Sequence, residues 1–226
     1  MNLQPAEKQQ LTGDLQVHSV FRTIQGEGPF TGHRAIFIRL AGCNLQCPFC
    51  DTDYTSGRSA TLIPDLLTLV RTMAPFHEHL VVITGGEPFR QNLLPLVTGL
   101  LAYGYKVQIE TNGTLYQELP YGKITVVCSP KTGSINKHLA PHISALKYVA
   151  GVNDIATDDG LPVQALGHPA KPRLARPPVN FSGTIYLQPI DESAKANPYH
   201  QEAVVKSVLK YGHTLCLQTH KILNLE

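Results

Sequence analysis

Three cysteines of the chain stand close together, and their spacing can support metal chemistry. Cys43, Cys47 and Cys50 follow the pattern C-x3-C-x2-C and account for three of the five cysteines. Such a density in a chain of 226 residues indicates a chemical role. Three thiolates on one loop can hold three irons of a 4Fe–4S cluster. The fourth iron either takes its ligand from Cys128 or Cys216 or stays open to bind another molecule.

Two other kinds of site compete with the cluster. A structural zinc site needs four ligands, usually as two C-x-x-C pairs, and the sequence offers one pair and one further cysteine. The segment Cys47-Pro48-Phe49-Cys50 also has the C-P-x-C pattern of a thiol–disulfide redox pair. Such a pair leaves Cys43 unexplained, so a thiol–disulfide oxidoreductase using Cys47 and Cys50 is kept as the alternative function.

The composition argues against several classes of function. With 42% hydrophobic residues the chain can bury one core, and we expect a flexible extension over 1–14 and a single domain over 15–226. The net charge is +2 and no basic run occurs, so no nucleic-acid partner is expected. The sequence shows neither an apolar run of membrane-spanning length nor a signal peptide, so no membrane partner is expected. A cysteine cluster without a disulfide pattern predicts a cytoplasmic protein.

Apolar runs alternate with helical patterns, and these elements must position the cysteines. Buried strands are predicted at 35–40, 80–84, 106–111, 124–128, 145–150, 184–187 and 215–219. Helices are predicted at 64–73, 92–102 and 197–210. This β–α–β order predicts an α/β fold with a parallel sheet.

Several connections are too short or too irregular to be helices. They follow the strands at 106–111, 124–128 and 145–150, and the proline-rich stretch 161–179 predicts a loop. We therefore expect an incomplete (β/α) barrel of about six parallel strands with few helices, with the active site at the carboxyl ends of the strands.

An arginine interrupts one of the predicted strands. Arg39 lies in the apolar run A-I-F-I-R-L, and a buried arginine is rarely unpaired. It either pairs with a carboxylate of the protein or binds an anionic ligand. Gln25 and Glu27 lie in the loop I-Q-G-E-G-P, where glycines let a ligand approach the backbone closely.

Beyond the cysteines, the chain carries an ordered set of short motifs. They are Q-G-E-G (25–28), F-I-R-L-A-G-C (37–43), C-D-T (50–52), I-T-G-G-E-P (83–88), I-E-T-N-G-T (109–114), S-P-K (129–131), L-Q-P (187–189) and Q-T-H-K (218–221). This set resembles the 7-carboxy-7-deazaguanine synthase family of the radical S-adenosylmethionine (SAM) superfamily. The resemblance covers the chain from Val17 onward, so the first dozen or so residues precede it.

The resemblance implies a lyase of the pathway to queuosine and other 7-deazapurines. In that family the cluster donates one electron to SAM, and the resulting radical removes the hydrogen at C6 of 6-carboxy-5,6,7,8-tetrahydropterin. The ring contracts, ammonia leaves and 7-carboxy-7-deazaguanine forms. The resemblance also implies Mg2+, a homodimer, and an electron donor such as flavodoxin or ferredoxin.

The same resemblance assigns roles to individual residues. The cluster would be held by Cys43, Cys47 and Cys50. SAM would be bound by Phe49, Cys50, Asp51, Gly86, Glu87, Ser129, Pro130, Lys131, Gln188 and Asp191. The pterin would be bound by Ile24, Gln25, Gly26, Glu27, Arg39, Thr84 and the terminal carboxylate of Glu226. Mg2+ would be bound by Thr52, with Asp51 or Asp53 left open as the ligand. Cys128 and Cys216 lie in apolar strand runs and are interpreted as core residues.

Overall fold

The predicted strands join into one nine-stranded sheet in the computed structural model, which describes residues 6–47, 50, 52–54, 56–74, 79–164 and 173–225. In chain order the strands are β1 (Leu15–Ile24), β2 (Arg34–Leu40), β3 (Ser59–Thr61), β4 (Leu80–Gly85), β5 (Lys106–Thr111), β6 (Ile124–Cys128), β7 (Ala145–Ala150), β8 (Thr184–Pro189) and β9 (Thr214–Leu215). Across the sheet their order is β3-β1-β2-β4-β5-β6-β7-β8-β9.

Most of the sheet is parallel, as the β–α–β alternation predicts. Every neighbouring pair from β2 through β9 is parallel. Strand β1 pairs antiparallel with both β2 and β3, so the sheet gains a hairpin-like edge before the parallel part begins. The expected α/β fold with a largely parallel sheet is therefore confirmed, and β3 and β9 form its two edges.

The helices are few and mostly short. They are α1 (Ile63–Met73), α2 (Leu94–Ala102), α3 (Asn197–Tyr211) and α4 (Thr219–Ile222). The first three carry proline in the first turn, where the missing N–H loses no helical hydrogen bond. Helix α3 ends at Tyr211 and is capped by Gly212, whose φ of 78° is the left-handed conformation that glycine tolerates. Single 3-10 turns follow β5 and β6, in place of full helices.

The core lies between the sheet and the helices that cover it. Leu66 and Val70 of α1 and Leu96, Val97 and Leu100 of α2 are fully buried against the strands. Burial of each such side chain contributes about 1.5–3 kcal/mol, which fixes the strands and hence the loops at their carboxyl ends. Among the described residues, no helix combines the length and apolar character needed to cross a bilayer.

The last predicted strand is wrong in extent. It was expected over 215–219, but β9 ends at Leu215 and α4 begins at Thr219. The Thr219 N–H and hydroxyl both donate to the carbonyl oxygen of Gly26, at 3.2 and 3.1 Å. These contacts turn the chain away from the sheet. Strand β3 has three residues, too few to show a period in the sequence.

Residues 6–10, within the stretch 1–14 predicted to be a flexible extension, contact the rest of the chain. The Glu7 N–H donates to the Cys43 carbonyl at 2.8 Å, and the Gln10 N–H donates to the Arg90 carbonyl at 2.7 Å. Gln10 also forms an isolated bridge with Gln91. This part of the chain is therefore held against the rest of the fold.

The proline-rich stretch 161–179 is described only in its flanks, since 165–172 lie outside the described residues. In the second flank Arg176 donates to Asp159 at 2.7 Å and to the Pro162 carbonyl at 2.6 Å. The described flanks contain no helix, which agrees with the predicted loop.

Candidate active site

One large cavity collects most of the predicted site residues. Its volume is about 960 Å3, and it opens where β2, β4, β5, β6, β7 and β8 end. Cys43, Cys47 and Cys50 all line it and are half-buried. The three cysteines that the spacing singled out therefore face the same space.

Backbone hydrogen bonds fix the start of the cysteine loop. The Gly42 N–H donates to the Tyr54 carbonyl at 3.1 Å, and the Gly42 carbonyl accepts from Glu87 N–H at 3.1 Å. A Cβ on Gly86 would lie 2.1 Å from the Gly42 oxygen, so only glycine fits there. The G-G-E-P motif thus lets the end of β4 pack directly against the cysteine loop.

The electrostatics of the loop suit a multinuclear cluster. Burial, together with the charges of Glu87, Cys47 and Cys50, raises the pKa of the Cys43 thiol to about 12, against a hydrogen bond from the Leu45 N–H. A thiolate at Cys43 therefore needs a strong positive charge beside it. Among the described residues no three histidine, cysteine or acidic side chains are placed to hold a metal ion. A 4Fe–4S cluster puts each thiolate on a different iron, so the loop fits a cluster better than zinc.

The residues predicted to bind SAM fall into three groups. Gly86, Ser129, Lys131, Gln188 and Asp191 line the cavity beside the cysteines. Glu87 and Pro130 are buried behind its wall. Phe49 and Asp51 lie outside the described residues.

Glu87 is built into the wall of the site. Its carboxylate is fully buried and accepts hydrogen bonds from Phe89 N–H at 3.0 Å, Thr111 hydroxyl at 2.8 Å and Asn112 N–H at 2.7 Å. Burial raises the pKa of Glu87 to about 7, against these three donors. The carboxylate therefore joins the ends of β4 and β5, and its contact with SAM stays a prediction.

The motif I-E-T-N-G-T holds the cysteine loop from the other side. The Asn112 side chain donates to the Asn44 side chain at 2.9 Å, and Asn44 donates to the Thr114 hydroxyl at 2.8 Å. Asn44 follows Cys43 directly, so the end of β5 orients the first cysteine.

The predicted pterin-binding residues also meet in this cavity. Its wall includes Ile24, Gln25, Gly26, Glu27, Arg39 and Thr84. Glu226 lies outside the described residues. The part of the site that the sequence assigned to the substrate is therefore assembled beside the cysteines.

Arg39 has the surroundings of a ligand-binding arginine. Its guanidinium lies 5.2 Å from the centre of the Phe21 ring, and its Nε is buried without a hydrogen-bond partner. Among the described residues it forms no ion pair, so the internal pair considered from the sequence is not found there. A buried donor without a partner is costly, and an anionic ligand in the cavity would supply one.

A buried ion pair in the cavity wall was missed from the sequence. Lys147 in β7 binds the Glu27 carboxylate, and Gln218 donates to the same carboxylate at 2.9 Å. Burial is the largest single influence and would raise the pKa of Glu27, but the charge and hydrogen bond of Lys147, the Gln218 hydrogen bond and the His220 charge together lower it. Burial likewise opposes the charged form of Lys147, and the Glu27 and Glu110 charges raise its pKa above the ordinary value. Glu27 is thus held ionised.

Glu110 in β5 is a second residue that the sequence reasoning missed. Its carboxylate accepts from Gln25 and from Gln108, both at 3.0 Å, and from the Thr84 hydroxyl at 3.4 Å. It lines the cavity and so places a second acidic group beside two predicted pterin-binding residues. The sequence did carry a signal for this residue, because Glu110 is an acidic residue inside the predicted buried strand 106–111.

The two candidate magnesium ligands that the structure describes, Thr52 and Asp53, lie in different places. Thr52 lines the cavity. Asp53 is exposed and accepts from the Ser56 N–H at 3.1 Å, away from the cavity wall. Asp51 lies outside the described residues. This placement favours Thr52 over Asp53.

The remaining two cysteines are buried, as predicted. Cys128 is part of the main core. Cys216 is buried below the cavity, where its sulfur accepts a hydrogen bond from the Gly28 N–H at 3.3 Å. Neither lines the cavity, so the fourth iron of a cluster would stay open for SAM.

Comparison with known proteins gives concordant matches over most of the chain. The 7-carboxy-7-deazaguanine synthase of Rhodospirillum rubrum is 44% identical over 219 residues, covering 93% of this chain and 92% of the relative. The synthase of Rickettsia prowazekii is 40% identical, covering 96% and 92%. The crystal structure of QueE from Escherichia coli superposes with a TM-score of 0.66 at 27% identity, covering 91% and 94%. No protein-family model matches the chain.

Proposed function

The chain belongs to the 7-carboxy-7-deazaguanine synthase family, and we propose that it converts 6-carboxy-5,6,7,8-tetrahydropterin into 7-carboxy-7-deazaguanine and ammonia as a radical SAM lyase. This reaction serves 7-deazapurine (queuosine) biosynthesis. One observation carries the proposal: a single cavity of about 960 Å3 holds both the three-cysteine loop and Arg39, whose buried Nε lacks a partner. A radical enzyme needs its radical source and its substrate site in one enclosed space.

The cluster half of the site supplies the radical. A 4Fe–4S cluster on Cys43, Cys47 and Cys50 would deliver the electron that cleaves SAM for hydrogen abstraction from the substrate. The Gly86 backbone would take the amino acid part of SAM, since Gly86 lines the cavity and packs directly against the cysteine loop. Ser129, Lys131, Gln188 and Asp191 continue the same wall.

The other half of the site binds and orients the pterin. Arg39 would take the substrate carboxylate in a bidentate pair, because a guanidinium fork matches a carboxylate. Thr84 lies beside it, as the two residues pair in register across β2 and β4. Glu27, Gln25 and Glu110 would bind the guanidine-like edge of the ring, since carboxyl and amide oxygens accept hydrogen bonds.

Magnesium would connect the two halves. Thr52 would supply a hard oxygen ligand, and the substrate carboxylate and water would complete the shell. Such an ion would balance the substrate charge and fix its orientation toward the SAM side.

The family match supports the lyase and not the thiol–disulfide alternative. Both named relatives are synthases and cover more than nine-tenths of this chain. A dithiol enzyme using Cys47 and Cys50 also leaves Cys43, Arg39 and the buried Glu27 carboxylate without roles.

We also propose an electron donor such as flavodoxin or ferredoxin, and a homodimer. Exposed apolar side chains at Leu209 on α3, at Ile222 on α4 and at Leu223 support contact with another protein surface. Light scattering of the purified protein would measure the oligomeric state.

The experiment that tests the function is anaerobic reconstitution with iron and sulfide, followed by turnover. The brown protein should form 7-carboxy-7-deazaguanine from the carboxypterin with SAM, Mg2+ and reduced flavodoxin. Cys43→Ala is the decisive variant, because it should abolish turnover while leaving the Cys47 and Cys50 pair intact. Thiol–disulfide activity that survives in Cys43→Ala, with no cluster in the wild type, would refute the lyase.

A further inference from the structure

The entry to the cysteine loop is held through all three of its carbonyl groups. In segment 41–43 the first carbonyl accepts from the side chains of Arg90 and Gln91, both at 3.0 Å. The second accepts from the Glu87 N–H at 3.1 Å. The third, that of the first cluster cysteine, accepts from the Glu7 N–H at 2.8 Å. Glu7 thus supplies the last of these bonds, from a segment that precedes the family motifs.

The Glu7 carboxylate makes a second set of contacts at the same place. It forms ion pairs with Arg90, at 3.0 Å, and with Arg58. A Cβ on Gly42 would lie 2.7–2.8 Å from atoms of all three side chains. The charged triad formed by Glu7, Arg58 and Arg90 therefore packs against the backbone of Gly42. The φ of Gly42 is 80°, a conformation that already requires glycine.

Glu7 supplies the negative charge of the triad, and the other two members, Arg58 and Arg90, are both positive. The Arg90 side chain is only 4% exposed. Burial lowers the pKa of Arg90, the Glu7 charge opposes this, and the Arg58 charge adds to it. Loss of the carboxylate would leave two guanidinium groups facing each other against the loop, one of them buried, which is costly.

We propose that Glu7 is a positioning residue for the iron–sulfur cluster, acting through the carbonyl of Cys43 and through Arg90. Segment 6–10, here called the strap, would hold the loop in the conformation that accepts the cluster. The negative charge of Glu7 would also lower the reduction potential of the cluster, because charge near a cluster shifts its potential. The proposal rests on the proposed function, since it assumes that the loop carries a cluster.

The test uses the reconstituted full-length protein without SAM or pterin. Glu7→Gln keeps the size and the backbone N–H but removes the charge. It should release iron to a chelator about tenfold faster than wild type, since about 1.4 kcal/mol of loop stabilisation corresponds to that factor. Its cluster should also have a more positive reduction potential. Glu202→Gln is the matched control: it removes an exposed acid that pairs with Lys206 on α3, and both measurements should stay at the wild-type values.

Arg58→Gln separates the effect of charge on the reduction potential of the cluster from the effect of loop positioning on iron release. It removes a positive charge while leaving the pair of Glu7 with Arg90, so its potential should shift in the negative direction with iron release near the wild-type rate. A structural defect of the strap would instead move both variants in the same direction.

Failure of the proposed function and failure of the role of Glu7 would give different results. Wild-type protein that takes up no cluster would overturn the proposed function. Wild-type protein that holds its cluster, with Glu7→Gln equal to it in iron release and potential, would overturn the role of Glu7 alone.

Discussion

Replacement of Lys147 by methionine tests the buried pair on which the substrate side of the cavity depends. Lys147→Met keeps the length of the side chain but removes the charge that faces Glu27. Each member of the pair has a side chain only 11% exposed, so water can replace the lost partner poorly. Breaking one side of a buried pair costs about 3–5 kcal/mol, and we expect a loss in this range at pH 7.5. Urea unfolding of the apoprotein measures it directly.

The stability difference between the wild type and Lys147→Met should change with pH in a defined direction. In the wild type the pKa of Glu27 is lowered, so the stability from the pair is present above the ordinary value of 4.5 and is lost as pH falls through the lower folded pKa. In Lys147→Met the charge and hydrogen bond of Lys147 are lost, so burial, the largest influence, is opposed only by Gln218 and His220 and the pKa of Glu27 should be raised. The deficit of the variant should therefore be largest at pH 7.5 and shrink as the pH falls toward 5, where Glu27 takes up a proton.

Two controls make the result interpretable. Lys206→Met removes the lysine of an exposed pair on α3, with side chains 72% and 62% exposed, and should leave the unfolding free energy close to that of the wild type. The double variant Glu27→Gln with Lys147→Met should recover much of the loss, because no unpaired charge remains. If Lys147→Met costs no more than Lys206→Met, the pair contributes little and Glu27 is not held by it.

Three further outcomes follow from the site. Cys43→Ala should abolish cluster assembly, measured by iron content, whereas Cys128→Ala should keep its iron and lose about 1 kcal/mol of unfolding free energy through a small core cavity; iron loss from Cys128→Ala would refute the open fourth iron. Arg39→Lys should weaken pterin binding at least tenfold while SAM binding stays unchanged, since a point charge cannot replace a bidentate fork, and calorimetry that shows equal pterin affinity would contradict the assignment. Thr52→Ala should lose the stimulation of turnover by Mg2+ but still cleave SAM slowly under reductant; a normal Mg2+ response would place the metal elsewhere.

The fold and the cluster loop follow from local patterns. Runs such as L-V-V-I-T and I-T-V-V-C are long enough to indicate buried strands. The turn residues that follow each strand place the motifs at the carboxyl ends of the strands. The failures lie where local pattern is weak. Strand β3 has three residues, and β9 has two that pair with β8 at its edge.

Long-range partners account for the missed site residues. Lys147 lies in the buried run A-L-K-Y-V-A, and the reasoning that singled out Arg39 applies to it equally. Its partner Glu27 is 120 residues away in sequence, which no local pattern encodes. Glu7 looked like part of a polar extension because its contacts with Arg58 and Arg90 exist only after folding.

The contact between the first motif and the last part of the chain has a consequence during protein synthesis. Gln218 and Glu27 are separated by 191 residues. At roughly 5–20 residues per second, a ribosome needs about 10–40 s to make that length. The cysteine loop is synthesised early in this interval, before α4 can close against Gly26. A nascent chain therefore exposes three thiols well before its substrate pocket exists.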